Sequence, residues 1–208
     1  LPELVAGEAW PLLAGIVLIA GGLFIAWLRS PTPEPTAARR WKQVAWSAAL
    51  SLLEPGDELV TPWPSYPLYP IMARRARDSF VPVHGFGVDG LLSAITERTR
   101  LLVLCNPNDP TGELLPVAEI RRLLDALPER VVVLLDEALR DFVDIEERDA
   151  ALALCEDHPR LVVFRSFSKA WGLAGLRCGY AVGGPGAESL IDELGPPLGI
   201  GELAQAGV

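Results

Sequence analysis

From Glu58 onward, short apolar runs alternate with stretches that carry the polar and apolar spacing of helices. Residues 58–63, 80–84, 101–105, 131–135 and 161–164 are rich in leucine and β-branched side chains and show little polar alternation. That pattern predicts strands buried on both faces of a sheet. Residues 66–77, 117–127 and 150–156 predict helices between them. Strands alternating with helices of this length imply an α/β fold whose mostly parallel sheet is flanked by helices. Ligands in such folds bind beyond the carboxyl ends of the strands, so the residues following each run are the ones to inspect.

The pattern upstream is different. Residues 9–28 carry no charge and include Ile16 to Ile19 and Leu23 to Ile25, a stretch long enough to cross a bilayer as a helix. Glu3 and Glu8 precede it, and Arg29, Arg39, Arg40 and Lys42 follow it, a polarity that would leave everything downstream in the cytoplasm. A buried helix competes with this reading, because Pro11, Gly15, Gly21 and Gly22 dilute the run. A signal peptide fits less well, since the basic residues follow the apolar stretch. Pro31, Pro33 and Pro35 then favour extended backbone and a linker, which sets a domain boundary after residue 36. Residues 37–53 again predict a helix, closed by the turn Glu54-Pro55-Gly56-Asp57.

Composition narrows the classes of function. Half of the 208 residues are hydrophobic, enough for a core, and the formal net charge of −9 argues against a nucleic-acid partner. Two small basic clusters, Arg39, Arg40 and Lys42, then Arg74, Arg75 and Arg77, read as solvated faces. Cys105, Cys155 and Cys178 are far apart and odd in number, which indicates neither a disulfide framework nor a zinc site and suits a reducing compartment. With only His84 and His158 present, a histidine-based metal site or a Ser-His-Asp triad has little to build on.

Polar residues do follow the apolar runs. After residues 101–105 comes Asn106-Pro107-Asn108-Asp109-Pro110-Thr111-Gly112, and after 131–135 comes Asp136-Glu137-Ala138. Taken singly, the first is a proline-stiffened loop and the second suits an aspartate capping the next helix. After 161–164 the segment Arg165-Ser166-Phe167-Ser168-Lys169 places two hydroxyls and a lysine on one short turn, with glycines next and Arg177 eight positions past the lysine. Hydroxyls, backbone N–H groups and a guanidinium fork can cradle a phosphate, and a lysine beside a phosphate-bearing aldehyde is suited to imine formation. The bland alternative is a glycine-rich turn with a surface lysine.

The segment from Ser166 to Tyr180 closely resembles the cofactor-lysine motif of the class I and II, fold-type I aminotransferases that depend on pyridoxal 5'-phosphate, in particular the branch similar to histidinol-phosphate aminotransferase. Pro55-Gly56-Asp57-Glu58, Pro64-Ser65-Tyr66-Pro67-Leu68-Tyr69, the Asn106 to Gly112 turn and Asp136-Glu137-Ala138 match the same family in its order, so the resemblance covers about residues 45–208. It implies a large cofactor-binding domain at 37–208, with Lys169 as the lysine that bonds the cofactor and later moves a proton at the substrate. Asp136 would pair with the pyridinium nitrogen, Tyr66 would stack on the ring, and Ser166, Ser168 and Arg177 would hold the phosphate. Gly112 would leave room where a side chain could crowd the ring. Amino acids and keto acids are the implied substrates, and a homodimer the implied assembly.

The chain departs from the family at two positions that share a task. The family carries asparagine at the place of Asp109 and tyrosine at that of Leu139, both hydrogen-bonded to the cofactor's phenolic oxygen. An ionised Asp109 would repel that oxygen and Leu139 cannot donate to it, so slower catalysis is expected. The upstream glycine-hydroxyl phosphate contact is not recognisable where Arg40, Trp41 and Lys42 stand, and the small carboxyl-terminal domain that supplies the substrate-binding arginine is expected to be absent after Val208. Amino transfer is the leading expectation. A decarboxylase or lyase of the same fold, or a truncated domain that binds without turnover, remains open.

Overall fold

The computed structural model describes residues 52–76, 79–176, 178–187 and 190. The predicted helix over 37–53 therefore lies outside the described residues but for its last two, and so does the apolar run 9–28. Among the described residues no helix is long and apolar enough to cross a membrane.

Among the described residues six strands form one sheet: β1 (Glu58–Trp63), β2 (Ser79–His84), β3 (Thr99–Cys105), β4 (Val132–Asp136), β5 (Leu161–Ser166) and β6 (Gly179–Gly183). Their order is β2-β1-β3-β4-β5-β6. The first five run parallel and β6 is antiparallel to β5. Among the described residues three α-helices follow β1, β2 and β3 in turn, α1 (Leu68–Ala76), α2 (Val88–Ser93) and α3 (Val117–Ala126), while 3-10 segments lie between β4 and β5.

Alternation of side chains divides the core into two layers. On one face Leu59, Leu101, Val103, Val132, Leu134, Val162 and Phe164 pack against Tyr69, Met72 and Ala73 of α1. On the other, Val60, Leu102, Leu104, Val133, Leu135, Leu161 and Val163 meet Val88 and Leu91 of α2 and Ile120, Leu123 and Leu124 of α3. Both faces of the central strands are covered, which is why their sequences read as continuous apolar runs. In α3 the buried Ile120, Leu123 and Leu124 form one stripe while Glu119, Arg121 and Arg122 face water. Pro82 sits in β2, an edge strand, where its missing N–H costs no ladder bond on the open side.

Most predicted elements are present with shifted ends. Strands β4 and β5 continue to Asp136 and Ser166, because ladder pairing carries past the apolar residues. The helix expected at 66–77 begins at Leu68, two residues later, with Pro67 just before its first turn. Residues 150–156 form a 3-10 segment, Leu152–Glu156, rather than an α-helix. Helix α2 and strand β6 were not anticipated: α2 is short, and β6 is Gly-Tyr-Ala-Val-Gly, with glycine at both ends.

The strand order reverses between β1, whose chain continues to β2 on one side, and β3 on the other. The crevice at their carboxyl ends is the topological switch point of the sheet.

Candidate active site

Two loops meet at that crevice. Behind β1, Ser65 donates from Oγ to Asn108 Oδ1 at 2.6 Å, and Asn108 Nδ2 donates to the Pro64 carbonyl at 2.9 Å. Behind β3, the buried Asn106 exchanges two bonds with the Leu115 backbone, at 2.9 and 2.7 Å. The Gly112 N–H closes the turn on the Asn108 carbonyl at 2.7 Å. Gly112 adopts φ of +75°, the left-handed region that favours glycine, which supplies a backbone reason for that residue. Polar side chains thus fix the loop that carries Asp109.

Asp136 ends β4 and is buried on the layer that faces α1. Its Oδ1 accepts from the Ala138 N–H at 3.0 Å and its Oδ2 from the Tyr69 hydroxyl at 2.9 Å. Burial pushes its carboxyl above the usual range, against the two hydrogen bonds and the nearby Lys169 charge. Burial, helped by Asp136, also raises the Tyr69 hydroxyl well above its ordinary value, so it stays a proton donor. Cys105 pairs in register with Asp136, and burial and that same carboxylate push its thiol up to about 12. It is a neutral wall of the site rather than a nucleophile.

Lys169 stands on the turn after β5. The Ser168 N–H donates to Ser166 Oγ at 3.0 Å, and the Gly172 and Leu173 N–H groups bond back to Lys169 and Phe167. Gly172, at φ of +66°, is the second left-handed glycine of the site. Lys169 Nζ lies 3.5 Å from Asp109 Oδ2, with each side chain roughly one-third exposed (37% and 33%).

Lys169, Asp109, Asp136, Tyr66, Cys105, Ala138 and Leu139 line one pocket. Of the residues read from the sequence, the structure therefore brings Tyr66, Asp109, Asp136, Leu139 and Lys169 together. Ser166 and Ser168 sit on the lysine turn but outside this lining, and Gly112 lies on the Asp109 loop. Ser168 Oγ is buried without a hydrogen-bond partner. Arg177 lies outside the described residues.

Sequence reasoning missed Tyr69 and Cys105. Tyr69 follows Tyr66 by three positions, a spacing that on a helix marks neighbouring side chains, and the rings meet edge to face with centroids 5.8 Å apart. Cys105 is the last residue of β3, where alternation puts it on the Asp136 layer.

The model of the family described as aminotransferase class I and II matches residues 43–205. An aromatic amino acid aminotransferase of Mycobacteroides abscessus is 41% identical over 155 residues, 73% of this chain and 44% of that protein. One from Streptomyces avermitilis is 40% identical over 156 residues, with the same shares. The chain thus spans a little under half the length of the curated relatives it matches. Among solved structures, histidinol-phosphate aminotransferase from Sinorhizobium meliloti, in complex with pyridoxal-5'-phosphate, superposes with a TM-score of 0.69 at 29% identity. That match covers 77% of this chain and 45% of the other. Aspartate aminotransferase from Rhizobium meliloti follows at 0.62 and 28%, covering 74% and 40%.

Proposed function

The chain belongs to the class I and II aminotransferase family, and on that premise we propose that the whole protein is a pyridoxal-phosphate-dependent aminotransferase. Its donor would be an aromatic amino acid, the class in its relatives' names, and its acceptor a keto acid. The observation that carries this reading is the convergence of Lys169, Asp136, Tyr66 and Asp109 on one pocket beyond the carboxyl ends of the strands.

The residues present fit the cofactor. Asp136 is a buried carboxylate that burial disfavours, and a cationic ring nitrogen would supply the charge it lacks. Ser168 has a buried hydroxyl with no partner on the turn that bears Lys169, as a phosphate contact requires. When bound, pyridoxal phosphate supplies an aldehyde that takes up amines and a pyridinium ring that draws electrons from the substrate's Cα.

The protein's share is to hold and to move protons. Tyr69 and the Ala138 N–H each occupy one oxygen of Asp136, which fixes the carboxylate's plane and leaves acceptor capacity for the ring N–H. Lys169 Nζ would bond the aldehyde and, once released by an incoming amine, would take the proton from the substrate's Cα. Tyr66 would cover one ring face, and Ser166, Ser168 and Arg177 would hold the phosphate. Asp109 and Leu139 would leave the phenolic oxygen without its two usual donors, so turnover is slow for the family. The reading extends to a homodimer and to an apolar helix at residues 9–28 that anchors a cytoplasmic catalytic domain.

Borohydride treatment of the full-length protein with pyridoxal phosphate, followed by peptide mapping, tests the site, and formation of the aromatic keto acid with 2-oxoglutarate as acceptor tests the reaction. A reduced cofactor adduct on Lys169 is expected. Its absence under saturating cofactor would overturn the proposal, and released CO₂ or ammonia in place of keto acid would move the reaction to a decarboxylase or lyase.

A further inference from the structure

Behind the pocket lies a cluster of charged side chains that the chemistry above does not use. Glu137 follows Asp136, and Arg165 precedes Ser166. In register Asp136 pairs with Phe164, so alternation puts Asp136, Phe164 and Ser166 on the pocket layer and turns Glu137 and Arg165 to the opposite one. There Arg165 Nε and Nη2 both lie 2.8 Å from Glu137 Oε2, with the side chains 5% and 0% exposed. The Glu137 N–H donates to the Phe164 carbonyl at 2.8 Å, which joins the two strand ends through the backbone as well.

Arg140, 1% exposed, completes the cluster. Its Nε lies 3.8 Å from Glu137 Oε1, and its Nη1 donates to Glu146 Oε2 at 2.9 Å. Arg140 and Arg165 both donate to the Arg148 carbonyl, at 3.1 and 2.7 Å, and Arg165 also pairs with Asp149. Burial pushes the Glu137 carboxyl upward, and the two guanidiniums oppose that. An apolar pair of similar volume would serve stability as well or better, because desolvating two charges costs about as much as their attraction returns. A buried ion pair between two strand ends that each carry a site residue therefore has a different use.

We infer that the Glu137–Arg165 pair, braced by Arg140, is a clamp behind the site that fixes the spacing of Asp136 and Ser166, which makes these three positioning residues for the cofactor. The inference rests on the proposed cofactor reading. The clamp holds the carboxylate for the ring nitrogen and the hydroxyl for the phosphate at one separation, and two guanidinium nitrogens on the single oxygen Oε2 hold it more rigidly than apolar contact would.

The test is the charge-balanced double variant Glu137→Met with Arg165→Met in the full-length protein, beside Arg165→Lys. In the double variant the Arg148 carbonyl keeps its bond from Arg140, Arg140 keeps its bond to Glu146, and the Asp149 carboxylate that loses Arg165 is 67% exposed to water. The double variant should melt at or above the wild-type temperature, bind pyridoxal phosphate about 10- to 100-fold more weakly, and give a visible band whose pH midpoint is displaced. Arg165→Lys should recover part of the affinity. Wild-type affinity and spectrum in a folded double variant would overturn the inference and leave the cofactor reading standing. A double variant that fails to fold would assign the pair to stability and overturn the inference equally. A wild-type protein that takes up no cofactor would overturn the reading itself.

Discussion

At the scale of single residues, the site is held in a costly state. Asp136 is buried, and its folded carboxyl titrates above the unfolded value. Such a group contributes fully below the unfolded value and loses that contribution as pH rises through the folded one, so ionisation of Asp136 weakens the cofactor-free fold. Asp136→Asn should raise the melting temperature of the cofactor-free protein at pH 7 by about 2–4 °C, the shift that ~1 kcal/mol gives a domain of this size. It should abolish turnover, and the thermal gain should vanish in acid; an unchanged melting temperature at pH 7 would remove this account. Asp109 acts on the other side of the pocket. Its carboxylate lies 3.5 Å from Lys169 Nζ and, unlike an asparagine amide, cannot donate to the cofactor's phenolic oxygen, so Asp109→Asn should speed turnover severalfold, with steady-state kinetics as the check. The apolar runs marked the sheet edge after which Lys169, Asp136 and Asp109 stand, but it was the resemblance of their motifs to the aminotransferase family that singled these residues out. Tyr69 was not legible as a site residue, since its hydrogen bond to Asp136 depends on how α1 packs against β4, 67 residues away.

At the scale of elements, periodicity sufficed where burial was uniform. Strands β1, β3, β4 and β5 are covered on both faces and announced themselves as apolar runs, and α3 did so by its stripe. Helix α2 has only Val88 and Leu91 buried in six residues, too little for a period to show. Strand β6 is defined by its antiparallel pairing with β5, which no local pattern encodes. Its exit is tight: a Cβ at Gly184 would stand 1.7 Å from the Cys155 carbonyl oxygen, and backbone cannot yield as a flexible side chain would. Gly184→Ala should therefore force β6 and the 3-10 segment Leu152–Glu156 apart and destabilise the fold by several kcal/mol. Leu123→Ala on α3 should cost about 2–5 kcal/mol by leaving a cavity. Urea unfolding distinguishes them. The leucine variant should keep the wild-type slope, whereas a slope that falls only in Gly184→Ala would show the sheet edge opening before the core.

At the scale of the whole molecule, the charge balance and the site pull in opposite directions. A formal net charge of −9 repels an anionic phosphate ester, so uptake depends on local cations and on groups that burial has left short of partners. On the proposed reading, cofactor binding and folding would be linked through the same residues. Pyridoxal phosphate at about 100 times its dissociation constant adds ~2.7 kcal/mol to stability, a rise in melting temperature of about 5–10 °C. Ser168→Ala should reduce that rise without lowering the cofactor-free melting point, because its hydroxyl has no partner to lose. Asp136→Asn should shrink the rise from both ends, since the cofactor-free form begins more stable and the bound form lacks the charge pair. Thermal unfolding of the three proteins with and without cofactor closes this cycle without any assay of turnover. If Asp136→Asn gained as much from the cofactor as wild type, the carboxylate would not be its partner, and the raised titration of Asp136 would be a cost that the ligand does nothing to relieve.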